Sequence, residues 1–311
     1  MGVTAAAAVG VAAGLDALVG EPPTRLHPVA WYGRAVGAVD RSWSRPRLVG
    51  VVAATVLPAA AAAVVVAVVL AASSIGAGAA VAAAALALFL TASCRRLVTA
   101  ARTVVAATES DPERAREAVP ALVGRDPASL SPAQLRSAAV ESAAENLADG
   151  LVAPLSAFAL TTALVSLALG GAGTLPLAAG AAAATWVKGV NTLDSMLGYH
   201  SKPVGWASAR LDDAVMWVPA RLGAVLIALA ALDPGSLRAA REWADGPPSP
   251  NSGWPMAALA AVLDVRLEKP GVYVLNPDRD LPTVAEGQRG VRVVAIAGVL
   301  AVLGTGVIVW F

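Results

Sequence analysis

The chain has 311 residues, of which 57% are hydrophobic and only 14% charged, against about 25% charged in an ordinary soluble domain. Lys plus Arg number 23 and Asp plus Glu 22, a net charge of +1, which excludes the basic excess expected of a nucleic-acid binder. A single cysteine, Cys94, excludes an intramolecular disulfide framework and any multi-cysteine zinc or iron–sulfur site.

Taken in chain order, the uncharged runs define the elements. Residues 1–15 carry no charge and lack the basic start of a cleaved signal peptide, so a spanning or re-entrant helix is predicted over about 2–19. The segment 20–47 is polar, with Arg25, Arg34, Arg41, Arg45 and Arg47. Residues 48–94 then hold 47 positions without a charge, about twice the ~20 residues a helix needs to cross hydrocarbon. Ser73, Ser74 and Gly76 interrupt the run, which predicts spans at 49–72 and 76–93 joined by a tight turn. An Ala-rich soluble bundle would show a charged face every third or fourth residue, and this run shows none.

The segment 94–149 is polar, with Arg95, Arg96, Arg102, Arg114, Arg116, Arg125 and Arg136. Within it Ser131, Pro132 and Gln134 form a capping-box start, predicting a helix from 131 to about Asp149 that stops at Gly150. Gly150–Val187 is a second uncharged run, of 38 residues, broken by Gly170, Gly171 and Gly173; spans are predicted at 151–169 and 174–189. Polar residues return over 188–213 and 233–290. Between them, 214–232 contains Trp217, Pro219 and Arg221, and a re-entrant or interfacial helix there keeps the flanking polar segments on one side. The last span is predicted at 291–311, ending in the interfacial pair Trp310–Phe311. By the positive-inside rule the Arg-rich segments are cytoplasmic and the uncharged turns near 75 and 172 face outward. The fold class is all-α, a polytopic integral membrane helical bundle in one membrane domain, with cytoplasmic helical loops.

The polar segments carry the candidate chemistry. Glu141, Glu145 and Asp149 lie at i, i+4 and i+8 and stack on one helical face. Like charges so spaced destabilise a helix by about 0.2–0.5 kcal/mol per pair, so the row calls for a cation; a solvated acidic face is the bland alternative. Mg²⁺ is commonly held by one or two carboxylates plus substrate phosphates, so these three are the predicted metal ligands. Lys188, Asn191 and Asp194 share a face at the end of the fifth span, a depth at which ionisable groups are costly and generally functional. Arg210, Asp212 and Asp213 form a third cluster, for which a plain Arg210–Asp213 pair is the structural alternative. Ser249–Pro255, a turn with two prolines and a glycine, is shaped to present Asn251 to a ligand. His27, beside Trp31, reads either as a hydrogen-bonded structural residue or as a substrate contact; with His200 far away in sequence, the two histidines do not make a zinc site. Neither standard phosphate-cradling glycine loop is present in the sequence.

The runs Glu141-Ser-Ala-Ala-Glu-Asn146-Leu-Ala-Asp-Gly-Leu-Val-Ala-Pro154, Val190-Asn-Thr-Leu-Asp-Ser-Met196 with Gly198-Tyr199, Arg210-Leu-Asp-Asp213 and Pro219-Ala-Arg221 closely resemble the adenosylcobinamide-phosphate synthases of cobalamin biosynthesis, the CbiB/CobD family. Leu15-Asp16, Gly20-Glu21-Pro22 and His27-Pro28-Val29 match the family's N-terminal pattern, and Ser249–Pro255 its C-terminal one, so the likeness spans essentially the whole chain. Two departures stand out: Gly20-Glu21-Pro22 where the family reads Gly-Asp-Pro, and Ala260–Lys269 where it tends to a glycine-richer run.

The resemblance implies a ligase of the cytoplasmic membrane, with its site facing the cytoplasm, that joins adenosylcobyric acid to (R)-1-amino-2-propanol or its O-phosphate with ATP and Mg²⁺. On that reading Glu141, Glu145 and Asp149 meet Mg²⁺–ATP. Asp194 with Asp212 or Asp213 supplies further ligands or the base for the amine. Lys188, Arg210 and Arg221 hold phosphates, while Asn146, Asn191, Asn251 and His27 orient substrate. Oligomeric state and association with other late-pathway proteins stay open. A Mg²⁺-dependent membrane prenyl- or alcohol-phosphate transferase is the rival enzyme, expected to carry a denser Asp repeat. A transporter is the non-enzyme rival, suggested by the paired hairpins but expected to place polar groups inside its spans.

Overall fold

The computed structural model describes residues 2–122, 127–171, 173–199 and 201–311; Arg125 and His200 lie outside the described residues. The helices in chain order are α1 Gly2–Leu18, α2 Pro28–Gly37, α3 Pro46–Ser73, α4 Ala77–Thr91, α5 Arg95–Ser110, α6 Pro112–Ala118 and α7 Pro132–Leu147. They continue with α8 Ala153–Ala168, α9 Leu175–Leu197, α10 Trp206–Val215, α11 Trp217–Ala230, α12 Ser236–Trp243, α13 Gly253–Leu263 and α14 Val284–Trp310. Strands β1 Leu267–Lys269 and β2 Tyr273–Leu275 make an antiparallel hairpin between α13 and α14. The described residues are thus all-α apart from six residues of strand.

Several boundaries follow directly from local chemistry. Pro28, Pro46, Pro112 and Pro132 open α2, α3, α6 and α7, where a missing N–H costs nothing and φ is already helical. The capping box of α7 is present: Gln134 N donates to Ser131 Oγ at 3.3 Å and Ser131 N donates to Gln134 Oε1 at 3.0 Å. The other end differs from expectation. Gly150 does not stop the helix; a π-turn over Ala148–Val152 carries it onward into α8, an irregularity often found at functional sites.

Among the described residues, four helical stretches are long and apolar enough to cross a membrane: Pro46–Ser73, Ala77–Ser110, Pro132–Ala168 and Val284–Trp310. The predicted run 49–72 falls within the first, and 76–93, 151–169 and 291–311 each lie within one of the other three except for a single residue at one end. The predicted run 2–19 forms a 17-residue helix, shorter than the ~20 residues a span requires. The run 174–189 is helical too, but α9 continues through Lys188, Asn191 and Asp194 to Leu197 and is not among the four; the polar residues on its last turns dilute its apolar character. Residues 214–232 form no straight span: α10 and α11 meet at Met216 with a 47° bend, the geometry of a broken span or a re-entrant loop.

The chain divides into two compact units interleaved in sequence. One comprises Met1–Ser93, Ala153–Met216 and Val302–Phe311, the other Cys94–Val152 and Trp217–Ala301. The first has a core of small residues, with Ala5, Ala8 and Ala12 of α1, Ala80, Ala84 and Ala85 of α4, and Ala178, Ala181 and Ala184 of α9 around Leu88 and Phe158. Small side chains let helix backbones approach in a medium where hydrophobicity gives no drive to associate. Gly189 shows the consequence, since a Cβ there would sit 3.3 Å from Pro58 of α3 and 3.2 Å from the Tyr32 hydroxyl. The second unit buries Val104 and Val105 of α5, Leu135 and Ala138 of α7, Met256 and Leu259 of α13, and the hairpin pair Leu267 and Leu275.

Candidate functional site

The nominated residues fall on both units. Glu141, Glu145, Asn146, Asp149, Arg221 and Asn251 lie on the second; His27, Lys188, Asn191, Asp194, Arg210, Asp212 and Asp213 lie on the first.

In the second unit, Glu141 is only 2% exposed. Its Oε1 accepts a hydrogen bond from Ser137 Oγ at 2.6 Å and its Oε2 one from the Tyr273 hydroxyl at 2.5 Å. Ser137 Oγ in turn accepts from Glu268 N at 2.8 Å, and Gln134 Nε2 donates to Glu268 Oε1 at 3.0 Å. One face of α7 (Gln134, Ser137, Glu141) is therefore fastened to the β-hairpin. The expected metal row is Glu141, Glu145 and Asp149. Both oxygens of Glu141 are engaged, Asp149 lies in the π-turn, and no group of three or more His, Cys, Asp or Glu among the described residues could hold a metal ion. Glu145 and Asp149 are half-buried. Asn146 turns its amide back on its own helix, with Nδ2 donating to the Ser142 carbonyl at 2.9 Å and to Ser142 Oγ at 3.0 Å.

Arg221 and Asn251, thirty residues apart, come together. Arg221 Nη1 donates to Asn251 Oδ1 at 3.0 Å and to the Trp217 carbonyl at 2.8 Å. Its guanidinium carbon stands 4.2 Å from the Trp217 ring centroid and 5.0 Å from that of Trp254, within cation–π range. Asn251 is buried, and its backbone N donates to Ser249 Oγ at 3.2 Å. The Ser249–Pro255 turn thus aims Asn251 Oδ1 at the Arg221 guanidinium. Trp254 Nε1 is buried and has no hydrogen-bond partner among the described residues.

In the first unit, α9 places Lys188, Asn191 and Asp194 on successive turns, all half-buried. Asp194 Oδ1 is sealed from solvent and has no hydrogen-bond partner among the described residues. Burial, reinforced by the negative charge of Asp213, pushes this carboxyl from its ordinary 3.8 up to about 6. Asp212 and Asp213 on α10 are half-buried and Arg210 is exposed. Tyr32 braces this part of α9, donating from its hydroxyl to the Gly189 carbonyl at 3.1 Å. His27 is the N-cap of α2, with Nδ1 accepting from Val29 N at 3.2 Å, which is the structural role among the two weighed for it.

Sequence reasoning missed Ser137, Tyr273, Trp217 and Trp254. Trp217 and Arg221 stand four apart on a helix, a spacing that could have flagged their stacking. Nothing local ties Tyr273 to Glu141 across 132 residues. The Ala260–Lys269 departure has a local account. Asp264, where the resemblance puts glycine, is the left-handed C-cap of α13 at φ 56°, and Asp is among the few side chains that tolerate that conformation. Arg279 Nε secures it at 2.8 Å.

Among the described residues, four helices long and apolar enough to cross a membrane, in an otherwise helical chain, define the class as a polytopic membrane protein. The model of the CobD/Cbib protein family matches residues 9–303, and the chain belongs to that family. It is 37% identical over 274 residues to the probable cobalamin biosynthesis protein CobD of Methanothermobacter thermautotrophicus, covering 86% of this chain and 85% of that one. It is 34% identical over 332 residues to the cobalamin biosynthesis protein CobD of Rhodobacter capsulatus, covering 98% of each. No solved structure matches the chain significantly. Family membership places the protein in cobalamin biosynthesis, with an enzymatic role in that pathway.

Proposed function

We propose that the protein is an ATP-dependent acid–amine ligase that joins a propionate carboxylate of adenosylcobyric acid to (R)-1-amino-2-propanol or its O-phosphate. A carboxylate is a poor acyl donor, so the γ-phosphoryl group of ATP is transferred to it, giving an acyl phosphate and ADP. The amine nitrogen attacks the acyl carbon, phosphate leaves, and the proton lost by nitrogen passes to a protein base. Asp194 carries this reading, because a half-buried carboxylate with one unbonded oxygen, titrating near neutrality, is matched to accepting that proton at physiological pH. Asp213 and Asp212 tune the site. Lys188, Arg210 and Arg221 bind phosphate oxygens, Asn191 and Asn146 orient polar groups of the substrates, and Asn251 positions Arg221.

ATP enters as its magnesium complex, so the cation comes with the substrate. Glu145 and Asp149 are the proposed neighbours of that complex; Glu141, which accepts hydrogen bonds from Ser137 Oγ and the Tyr273 hydroxyl, braces the same face of α7. The site works from the cytoplasmic side of the cell membrane, where both nucleotide and corrinoid are made. The test is turnover by the purified protein in lipid. ADP release that requires both corrinoid acid and amine supports the ligase, whereas uptake into vesicles without ADP release would replace it with the transporter reading. Normal ligase activity in Glu145→Gln would remove the nucleotide contact assigned to that residue.

A further inference from the structure

Helix α11 of the second unit has two faces of different character. Pro219, Ala220, Gly223, Ala224, Ile227 and Ala228 are buried. Val218, Leu222, Val225 and Leu229 are exposed, and Leu232, just past the helix end, is 89% exposed. Steps of three and four residues put these five on one side of the helix. Every exposed position from Trp217 to Leu232 is apolar. A helix face turned to water is normally polar, so this one is built for hydrocarbon.

The buried face shows at what depth α11 lies. A Cβ on Gly223 would stand 3.1 Å from the Ala148 Cβ and 3.8 Å from the Pro255 Cβ. Ala148 opens the π-turn at which charged α7 gives way to the uncharged run Gly150–Val187. The middle of α11 is therefore held where the polar part of a membrane-crossing stretch meets its apolar part.

Helix α12 decides the orientation. It begins just after Asp233, whose N donates to the Ala228 carbonyl at the end of α11 at 2.9 Å. It ends at Ala244, whose carbonyl a Cβ on Gly253 would strike, close to Asn251 and its partner Arg221; Asp245 faces that same guanidinium. α12 thus runs back along α11 from its last turn to its first turns. α13, buried along almost its whole length, packs against both. Arg238, Arg241 and Glu242 of α12 are exposed. Were α11 upright in the bilayer, these charges would stand at the depth of Val225 and Leu229, inside hydrocarbon, where ionised side chains are rare and costly. The apolar face is also short, about 21 Å from Val218 to Leu232 against about 30 Å of hydrocarbon.

We propose that α11 lies flat in the membrane surface, with Val218, Leu222, Val225, Leu229 and Leu232 seated among lipid acyl chains and α12 turned to water. Leu232 adopts φ 55°, a conformation that bulky side chains seldom take and that glycine usually supplies at a helix end; here it extends the apolar face by one more side chain. The proposal stands apart from the ligase reading.

The test is the depth of single spin labels on the full-length protein in vesicles of phosphatidylcholine and phosphatidylglycerol. Labels are attached to Val218→Cys, Leu222→Cys, Val225→Cys and Leu229→Cys, each in a Cys94→Ala background, and read by collision with oxygen and with a water-soluble nickel chelate. All four are expected at one shallow depth, about 5–10 Å into the headgroup and acyl boundary, with labels on Arg238→Cys and Arg241→Cys in water. A depth that increases steadily from 218 to 229, by about 16 Å, would replace the flat helix with a re-entrant one. Deep values at 222 and 225 between shallow ends would make α11 a crossing helix. Labels open to the nickel chelate would put the face in water, and labels closed to both reagents would put it against protein. Each of these four outcomes overturns the proposal. If the Cys94→Ala background does not fold, Leu222→Trp and Leu229→Trp in the protein with its natural cysteine read the same depth through quenching by brominated lipids. Equal added quenching at the two positions, stronger from bromines near the headgroup than from bromines near the chain ends, is expected; unequal depths overturn the flat helix.

Discussion

The Tyr273 hydroxyl donates to Glu141 Oε2 at 2.5 Å, so a carboxylate that the sequence presents as one of a metal-binding row is the anchor of a β-hairpin. Tyr273→Phe leaves a buried carboxyl oxygen short of a donor, at a cost of about 1–3 kcal/mol. A clear fall in the apparent unfolding midpoint in detergent is expected for Tyr273→Phe, Ser137→Ala and Glu141→Gln alike. Were Glu141 a metal ligand instead, Glu141→Gln would change the magnesium dependence of turnover and spare the midpoint.

Asp194 yields a pH prediction with a definite sign. Its folded-state carboxyl titrates near 6 against an ordinary 3.8, so the native state holds that proton more tightly than the unfolded chain does. Below about pH 4 both states are protonated and the residue costs nothing. The cost grows between 4 and 6 and is complete above 6. With about 1.4 kcal/mol per pKa unit, its full size is on the order of 3 kcal/mol. Asp194→Asn is therefore expected to raise the unfolding midpoint at pH 7.5 and leave it unchanged at pH 4. In the proposed reaction, the acidic limb of kcat/KM near pH 6 should vanish in the same variant.

Gly198 governs the same carboxylate. A Cβ at that position would collide with Asp194 Oδ1 and come within 2.8 Å of the Asp194 carbonyl oxygen. Gly198→Ala should therefore drive the carboxylate out toward water and move the acidic limb of the pH profile down toward pH 4. An unmoved limb in Gly198→Ala, with the limb still lost in Asp194→Asn, would show that the glycine plays no part in placing the acid.

Asn251 is expected to act through Arg221. If its 3.0 Å bond is what orients the guanidinium, Asn251→Ala should raise KM for ATP about tenfold, a loss within the range for a hydrogen bond to a charged group. The double variant with Arg221→Ala should then be no worse than Arg221→Ala alone. Additive losses would mean two independent contacts. Arg221→Lys should also fail to restore function, since an ammonium lacks the flat fork that lies against Trp217 and Trp254.

Much of the frame was legible because it depends on neighbours in sequence. Charge-free runs marked the spans at 49–72 and 291–311, and Ser131, Pro132 and Gln134 marked the start of α7. The motif runs alone pointed to the family that the comparisons then showed. Spacing failed where the helix itself changed. Gly150 looked like a stop but lies in a π-turn, because a glycine ends a helix only when the chain has somewhere else to go, and here α8 continues it. The run 174–189 looked like a self-contained span but is the first part of a longer helix that delivers Lys188 and Asp194.

By itself, then, the sequence determined that scarce charge is confined to polar segments and that the chain is a membrane protein of this family. Both conclusions come from hydropathy and residue order, which are properties of the chain alone. The tertiary structure decided what each polar residue does there. It gave both oxygens of Glu141 hydrogen bonds, turned Asn251 toward Arg221, and sealed Asp194 Oδ1 from solvent. A carboxylate's role depends on its partners and its exposure to water. Partners 132 and 30 residues away leave no trace in local spacing.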